Sequence, residues 1–238
     1  MNQHNQRPKI SIVMVDGSFR ERYESIDFMA GQDMPTEDFE LIWVEYYDTI
    51  ALDLQRRIDA RPGFRAVALG RTGTYHSSYC FNHGIAEARG ELVVIPDADV
   101  IAEPDFLQNV WRDHQASDRL VTYYHRHNEP KDKHTDTIEL DHLRAVCELT
   151  NPSNHGACLS VRRHWLDEIN GYEQSWRGRT LSTLPFQGMD PARNTTPPQR
   201  FQECERWLAS LDQPKWKRAV NKIAAKIGYT AHPQRKAA

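Results

Sequence analysis

Residues 91–100 read ELVVIPDADV, and this stretch decides the fold. Leu92, Val93, Val94 and Ile95 form an unbroken apolar run that enters Pro96. A run this short and this rich in β-branched residues is a buried strand, of the kind found in parallel sheets. Two aspartates, Asp97 and Asp99, follow one residue apart. Carboxylates just past the carboxyl end of such a strand lie in the crevice where open α/β sheets bind ligands. Spaced Asp-x-Asp, they suit a hard divalent cation, and through it a diphosphate.

The same rhythm extends to both sides. Upstream, strands are expected at 10–15, 39–44 and 65–69, and helices at 21–30, 50–60 and 75–88. Gly90 closes the last of these helices. Pro104 sits in the first turn of the next helix, whose apolar face is Phe106, Val110 and Trp111. Alternating strand and helix imply a doubly wound, mostly parallel sheet flanked by helices. Downstream the pattern loosens. It gives a strand at 120–124, a polar loop at 125–137, a helix at 138–149, a strand at 157–161 and a short helix ending at Gly171. The expected organisation is an α/β body over residues 1–176, an irregular linker over 177–200 and a helical tail over 201–238.

Composition narrows the class. The 238 residues are 39% hydrophobic and 26% charged, enough for a packed core and unlike a disordered chain. The four cysteines are scattered, without zinc spacing, which points to reduced thiols in the cytoplasm. The first ten residues carry no apolar signal core, and no run approaches the ~18 apolar residues of a membrane span. The charge is unevenly placed. Seven of the 30 Lys/Arg lie in residues 213–238 with no Asp or Glu, so the other 23 face all 33 acids. In that tail Trp216, Ala219, Val220, Ile223, Ala224 and Ile227 form one apolar stripe, opposite Lys217, Arg218, Lys222 and Lys226. Such a helix either docks on the acidic body or lies on anionic lipid. The acidic body and the lack of aromatic-basic interleaving argue against a nucleic-acid partner.

Four blocks resemble a known family. They are SIVMVDGSFR (11–20), FELIWVEYYD (39–48), CFNHGIAEARGELVVIPDADV (80–100) and HGACLSVRRHWLDEINGYE (155–173). Together they are similar to the GT-A glycosyltransferases of family two, the inverting nucleotide-sugar transferases. The third block carries the family's Asn-x-Gly-Ile, Ala-x-Gly-Glu and Asp-Ala-Asp pattern. The fourth carries its Gly, Arg pair and closing Gly-aromatic-acid, at Gly156, Arg162, Arg163, Gly171, Tyr172 and Glu173.

The resemblance implies a nucleotide-diphospho-sugar donor, a UDP-sugar first, and a glycan or lipid-linked acceptor. It implies Mn2+ or Mg2+ with Asp99 as direct ligand, and Asp97 on the metal, its water or the ribose. Glu45 would meet the base or ribose, Asn82 would face the donor, and His155 would lie near the acceptor. His83 reads as merely exposed, and His232 is an unassigned distal histidine. The family's acidic pair after the fourth block is missing, since residues 174–189 hold no Asp or Glu. Asp190 is the next carboxylate and the candidate general base, with Glu173 behind it. Phe81 stands where the family has an arginine, and its opening Pro-x-x-Asn is not evident. Two other readings stand beside transfer: a GT-A domain that binds nucleotide sugar or a partner without turnover, and a nucleotidyltransferase, for which DGSFRER at 16–22 is a faint phosphate-loop echo.

Overall fold

The computed structural model describes residues 7–149, 158–172 and 174. The expected linker and tail therefore lie outside the described residues. So do Glu173, His155, Asp190 and His232.

The body is a six-stranded sheet with helices on both faces. Its elements are β1 (Ile10–Asp16), α1 (Glu24–Ala30), β2 (Phe39–Glu45), α2 (Leu52–Asp59), β3 (Phe64–Ala68), α3 (Ser77–Glu87), β4 (Leu92–Pro96), α4 (Phe106–Gln115), β5 (Val121–Tyr123), β6 (His127–Asn128), α5 (Leu140–Val146), β7 (Glu148–Leu149), β8 (Cys158–Arg162) and α6 (Arg163–Ile169). The strand order is β3-β2-β1-β4-β8-β5. Strands β3, β2, β1 and β4 are mutually parallel, whereas β8 runs antiparallel to both β4 and β5.

The long apolar runs have a physical cause. Every residue of β1, β2 and β4 is buried, because helices cover both faces of the sheet. Side chains alternate between two cores. Ile10, Ile12, Met14, Leu41, Trp43, Leu92 and Val94 meet Ile26 and Met29 of α1, Leu54 and Ile58 of α2 and Leu107 and Val110 of α4. On the other face Val13, Val15, Ile42, Val44, Val93 and Ile95 meet Cys80 and Ile85 of α3 and Leu166 of α6. At Gly84 a Cβ would run into Val13, so only glycine lets α3 settle this closely on β1.

The sheet is mostly parallel, as expected, with β8 as its one reversed strand; a buried strand shows the same apolar run in either direction, so the sequence did not single β8 out. Three expectations need correction. The loop expected at 125–137 contains β6. The helix expected at 138–149 is only α5, after which β7 turns back to pair with β6. Finally, α1 starts at Glu24 and not Glu21. The Arg20 main-chain N–H and guanidinium both bond Asp16, and the Tyr23 hydroxyl donates to the Arg20 carbonyl, which holds this segment as a loop. Among the described residues no helix is long and apolar enough to cross a membrane.

Candidate functional site

Parallel strands bring their carboxyl ends to one rim, and here that rim is acidic. Asp16, the last residue of β1, is in register with Glu45, the last residue of β2. Asp97 and Asp99 follow β4, which lies against the other side of β1. The chain passes from β1 to β2 in one direction and reaches β4 in the other. The gap between β1 and β4 is therefore the switch point where such sheets form their ligand crevice. Asp16 stands on one side of it and Asp97 and Asp99 on the other.

One cation spans this gap. The Arg20 guanidinium donates from Nη1 to Asp16 Oδ1 at 3.1 Å, and the Arg20 main-chain N–H reaches Asp16 Oδ2 at 3.3 Å. Its Nη2 forms an ion pair with Asp99 Oδ2 at 3.3 Å. The two anchors differ in exposure. Asp16 is only 1% exposed, while the Asp99 side chain is 66% exposed. Asp97 is half-buried. Burial, and then the like charge of Asp99, push its carboxyl up to about 6, against the pull of Arg20 and Arg126.

Asp97 and Asp99 are the residues that could hold a metal. Among the described residues no group of three or more His, Cys, Asp and Glu has metal-holding geometry. Two carboxylates still fit a small hard cation, which commonly takes only one or two from the protein and completes its shell with phosphate oxygens and water.

Glu45 is buried and already engaged. It accepts from the Ser18 main-chain N–H at 3.2 Å, the Ser18 hydroxyl at 3.2 Å and the Tyr47 N–H at 3.1 Å. Ser18 has φ +58°, an uncommon conformation for a residue with a side chain. Glu45 thus pins the strained loop that carries Arg20 over the crevice. The expectation placed it against the base or ribose; in the structure its visible partners are this loop and Tyr47. Aromatic rings line the same end. Exposed Phe19 packs edge-on against Tyr75 at 5.0 Å, and Tyr75 packs on Tyr46 at 5.4 Å. Arg71 stacks over Tyr79, 3.7 Å from the ring centre. Cys80 beneath them is buried, its thiol pushed up to about 12, and is therefore inert.

Asn82 also has a role that the sequence did not reveal. Its amide nitrogen donates to the Tyr172 carbonyl at 2.7 Å, and its amide oxygen accepts the Tyr172 N–H at 2.6 Å. Phe81 stacks on the Tyr172 ring at 4.8 Å. Gly171 has φ +68°, and a Cβ there would strike the Asn82 amide. Asn82 was expected to face the donor; the structure shows both amide atoms clamping the segment after α6 to α3. His83 is half-exposed on α3.

Reading residues 11–22 alone missed Asp16, Ser18 and Arg20. The available signal was an aspartate ending an apolar strand, with an arginine four residues later. A separate cavity of about 530 Å³ opens at the amino ends of the strands, between Arg7, Glu37, Glu40, Gly63, Arg89 and Arg163. Ligands of doubly wound sheets bind at the carboxyl ends, so the acidic rim and not this cavity is the candidate site.

Comparison with known families now bears on this rim. The family model described as Glycosyl transferase family 2 matches residues 62–170, just under half of the chain, and includes Asp97 and Asp99. The chain has a GT-A fold, and its residues 62–170 are similar to the family-two glycosyltransferases. Solved structures agree in fold. One is residues 1–349 of TarS from S. aureus in complex with UDP, with TM-score 0.55 and 16% identity, covering 92% of this chain and 70% of that one. The same fragment with UDP-GlcNAc gives TM-score 0.55 at 14% identity, covering 93% and 72%. The mannosyltransferase PcManGT from Pyrobaculum calidifontis, in complex with GDP-Man and Mn2+, gives TM-score 0.50 at 18% identity, covering 94% and 75%. A comparison with curated protein sequences found no match.

Proposed function

We propose that this GT-A transferase moves a sugar from a nucleotide-diphospho-sugar, a UDP-sugar first, to a glycan or lipid-linked acceptor with inversion at the anomeric carbon. The observation that carries this reading is the convergence of Asp16, Asp97, Asp99 and Arg20 at the switch point between β1 and β4. The UDP, UDP-GlcNAc and GDP-Man named for the fold relatives support a nucleotide-sugar donor.

A divalent Mn2+ or Mg2+ held by Asp99, with Asp97, would supply Lewis-acid neutralisation of the departing diphosphate. The rest falls to the chain. Glu45 fixes the loop over the crevice and would border the base or ribose of the donor. The acceptor oxygen forms its bond to the anomeric carbon as the bond from that carbon to the diphosphate oxygen breaks on the opposite side. The acceptor proton passes to a carboxylate, and Asp190 is the residue we assign, with His155 on the acceptor side. Asn82 would act beside the donor through the segment it clamps, Gly171–Tyr172. The transferase would work in the cytoplasm, with the basic helix of residues 215–227 resting on the inner membrane face near a lipid-linked acceptor.

The test is a hydrolysis and transfer screen over common nucleotide sugars, with and without Mn2+. The reading expects metal-stimulated release of one nucleoside diphosphate. In the same assay Asp190→Asn should lower turnover about 10²–10⁴-fold with donor affinity unchanged, since a base acts on the acceptor. A second reading is a domain that binds nucleotide sugar or a partner without turnover. The absence of Asp and Glu from residues 174–189 favours it, and wild-type protein that binds a donor but releases nothing would select it.

A further inference from the structure

Arg20 closes the first of the four sequence blocks, where the resemblance gives it no role, yet it bridges the two sides of the crevice. Its two anchors are unequal. Asp16 is buried at the end of a central strand and holds Arg20 by both main chain and side chain. This half of the contact fixes where the guanidinium sits. The other half is an ion pair to Asp99, whose side chain is largely exposed and free to turn outward. Solvent-exposed ion pairs contribute little to stability, so this half is exchangeable.

The charge balance of the rim gives the exchange a purpose. Asp16, Glu45, Asp97 and Asp99 would all repel a diphosphate. A guanidinium already fixed at the gap presents planar N–H donors that match phosphate oxygens. With the crevice empty, Asp99 covers those donors. A divalent cation that takes Asp99 uncovers them.

Resting on the nucleotide-sugar reading above, we propose that Arg20 is a diphosphate-holding residue masked by Asp99, and that metal binding at Asp99 releases its Nη2 to the diphosphate. Metal and nucleotide then bind with mutual assistance. By linkage, each strengthens the other by the same factor.

Calorimetric titrations of the full chain with UDP and with GDP, in EDTA and in Mn2+, test this, together with Mn2+ alone. Arg20→Gln should weaken nucleotide binding in Mn2+ about tenfold or more, the scale of a lost charged hydrogen bond. The same variant should bind Mn2+ alone several-fold more tightly, because Asp99 no longer has a competing partner. Arg20→Lys, which keeps the charge and loses the fork, should recover part of the nucleotide affinity. Asp99→Asn offers a second route that leaves the Arg20–Asp16 anchor intact. It should bind UDP in EDTA several-fold more tightly than wild type, and Arg20→Gln added to it should cancel the gain. If the gain survives in the double variant, it reflects only the lost negative charge, and the assignment is wrong. If wild type binds nucleotide and Arg20→Gln binds it equally well, the role of Arg20 fails alone. If wild type binds neither UDP nor GDP in either buffer, the nucleotide-sugar reading fails, and this assignment with it.

Discussion

Replacing Glu40 by glutamine should destabilise the fold by about 2–4 kcal/mol, although Glu40 lies at the end of the sheet away from the acidic rim. The magnitude follows from its contacts. Glu40 is 1% exposed and accepts five hydrogen bonds. Its Oε1 takes the Ser11 hydroxyl at 2.6 Å and the Arg89 main-chain N–H at 2.7 Å. Its Oε2 takes Arg65 Nη1 at 2.7 Å and Arg89 Nε and Nη2 at 3.0 and 2.8 Å. Removing one partner of a fully buried ion pair costs about 3–5 kcal/mol. Here the Arg65 and Arg89 side chains are 28% and 62% exposed, so water can rehydrate them and the cost falls. What remains is an amide N–H2 aimed at guanidinium donors, at about 1–3 kcal/mol for each buried group left without a partner. Arg89→Ala should cost about 1 kcal/mol or less, since its own charge is near the surface.

The same carboxylate gives a pH signature. Burial alone would raise it, but hydrogen bonds from Ser11, Arg65 and Arg89 outweigh burial and hold it below the ordinary glutamate range. A folded value below the unfolded one, ~4.3, stabilises the protein fully above that pH and loses this contribution as pH falls through the lowered value. Urea unfolding followed by tryptophan fluorescence at several pH values measures both effects. The gap between wild type and Glu40→Gln should be widest near neutrality and close in acid. A loss below about 1 kcal/mol at pH 7, or a gap that widens in acid, would refute the reasoning.

Three further outcomes are expected. Asn82→Ala should cost about 2–3 kcal/mol by stranding the Tyr172 N–H and carbonyl, and a melting curve that matches wild type would show that the clamp contributes nothing. Nucleotide binding in Mn2+ should weaken as pH falls through about 6, where Asp97 takes a proton, and Asp97→Asn should bind weakly with a flat profile; calorimetry from pH 5 to 8 reads both. Deleting residues 213–238 should remove binding to anionic vesicles while the body keeps its melting temperature, and a truncated protein that aggregates would show that the segment is structural.

Much of the architecture was legible because burial on both faces writes itself as continuous apolar sequence. Strands β1, β2 and β4 fall where ISIVMV, FELIWV and ELVVIP place them. The direction of β8 was not legible, because CLSVR is equally buried whichever way it runs. Strands β6 and β7 have two residues each, too short for any period. At the site, Asp97 and Asp99 declared themselves by position after a buried strand. Glu45 was found at the right rim, but its hold on Ser18 depends on a positive φ that no residue type announces. Arg20 was missed because its meaning comes from two carboxylates separated from each other by 83 positions in the chain, Asp16 and Asp99. Asn82 looked like a helix-surface amide aimed at a donor, and only the folded chain shows Tyr172 beside it, 90 positions away.

The account rests on Asp99 as the point where metal and diphosphate meet, and one comparison tests it most directly. Affinity for UDP should be measured by calorimetry with and without Mn2+, for wild type and for Asp99→Ala, with circular dichroism confirming that the variant is folded. Mn2+ should tighten binding to wild type at least about tenfold, within the roughly 5–150-fold range typical of coupling between two bound ligands. In Asp99→Ala the two affinities should be equal. A folded variant in which Mn2+ still tightens UDP binding as it does in wild type would contradict the central claim.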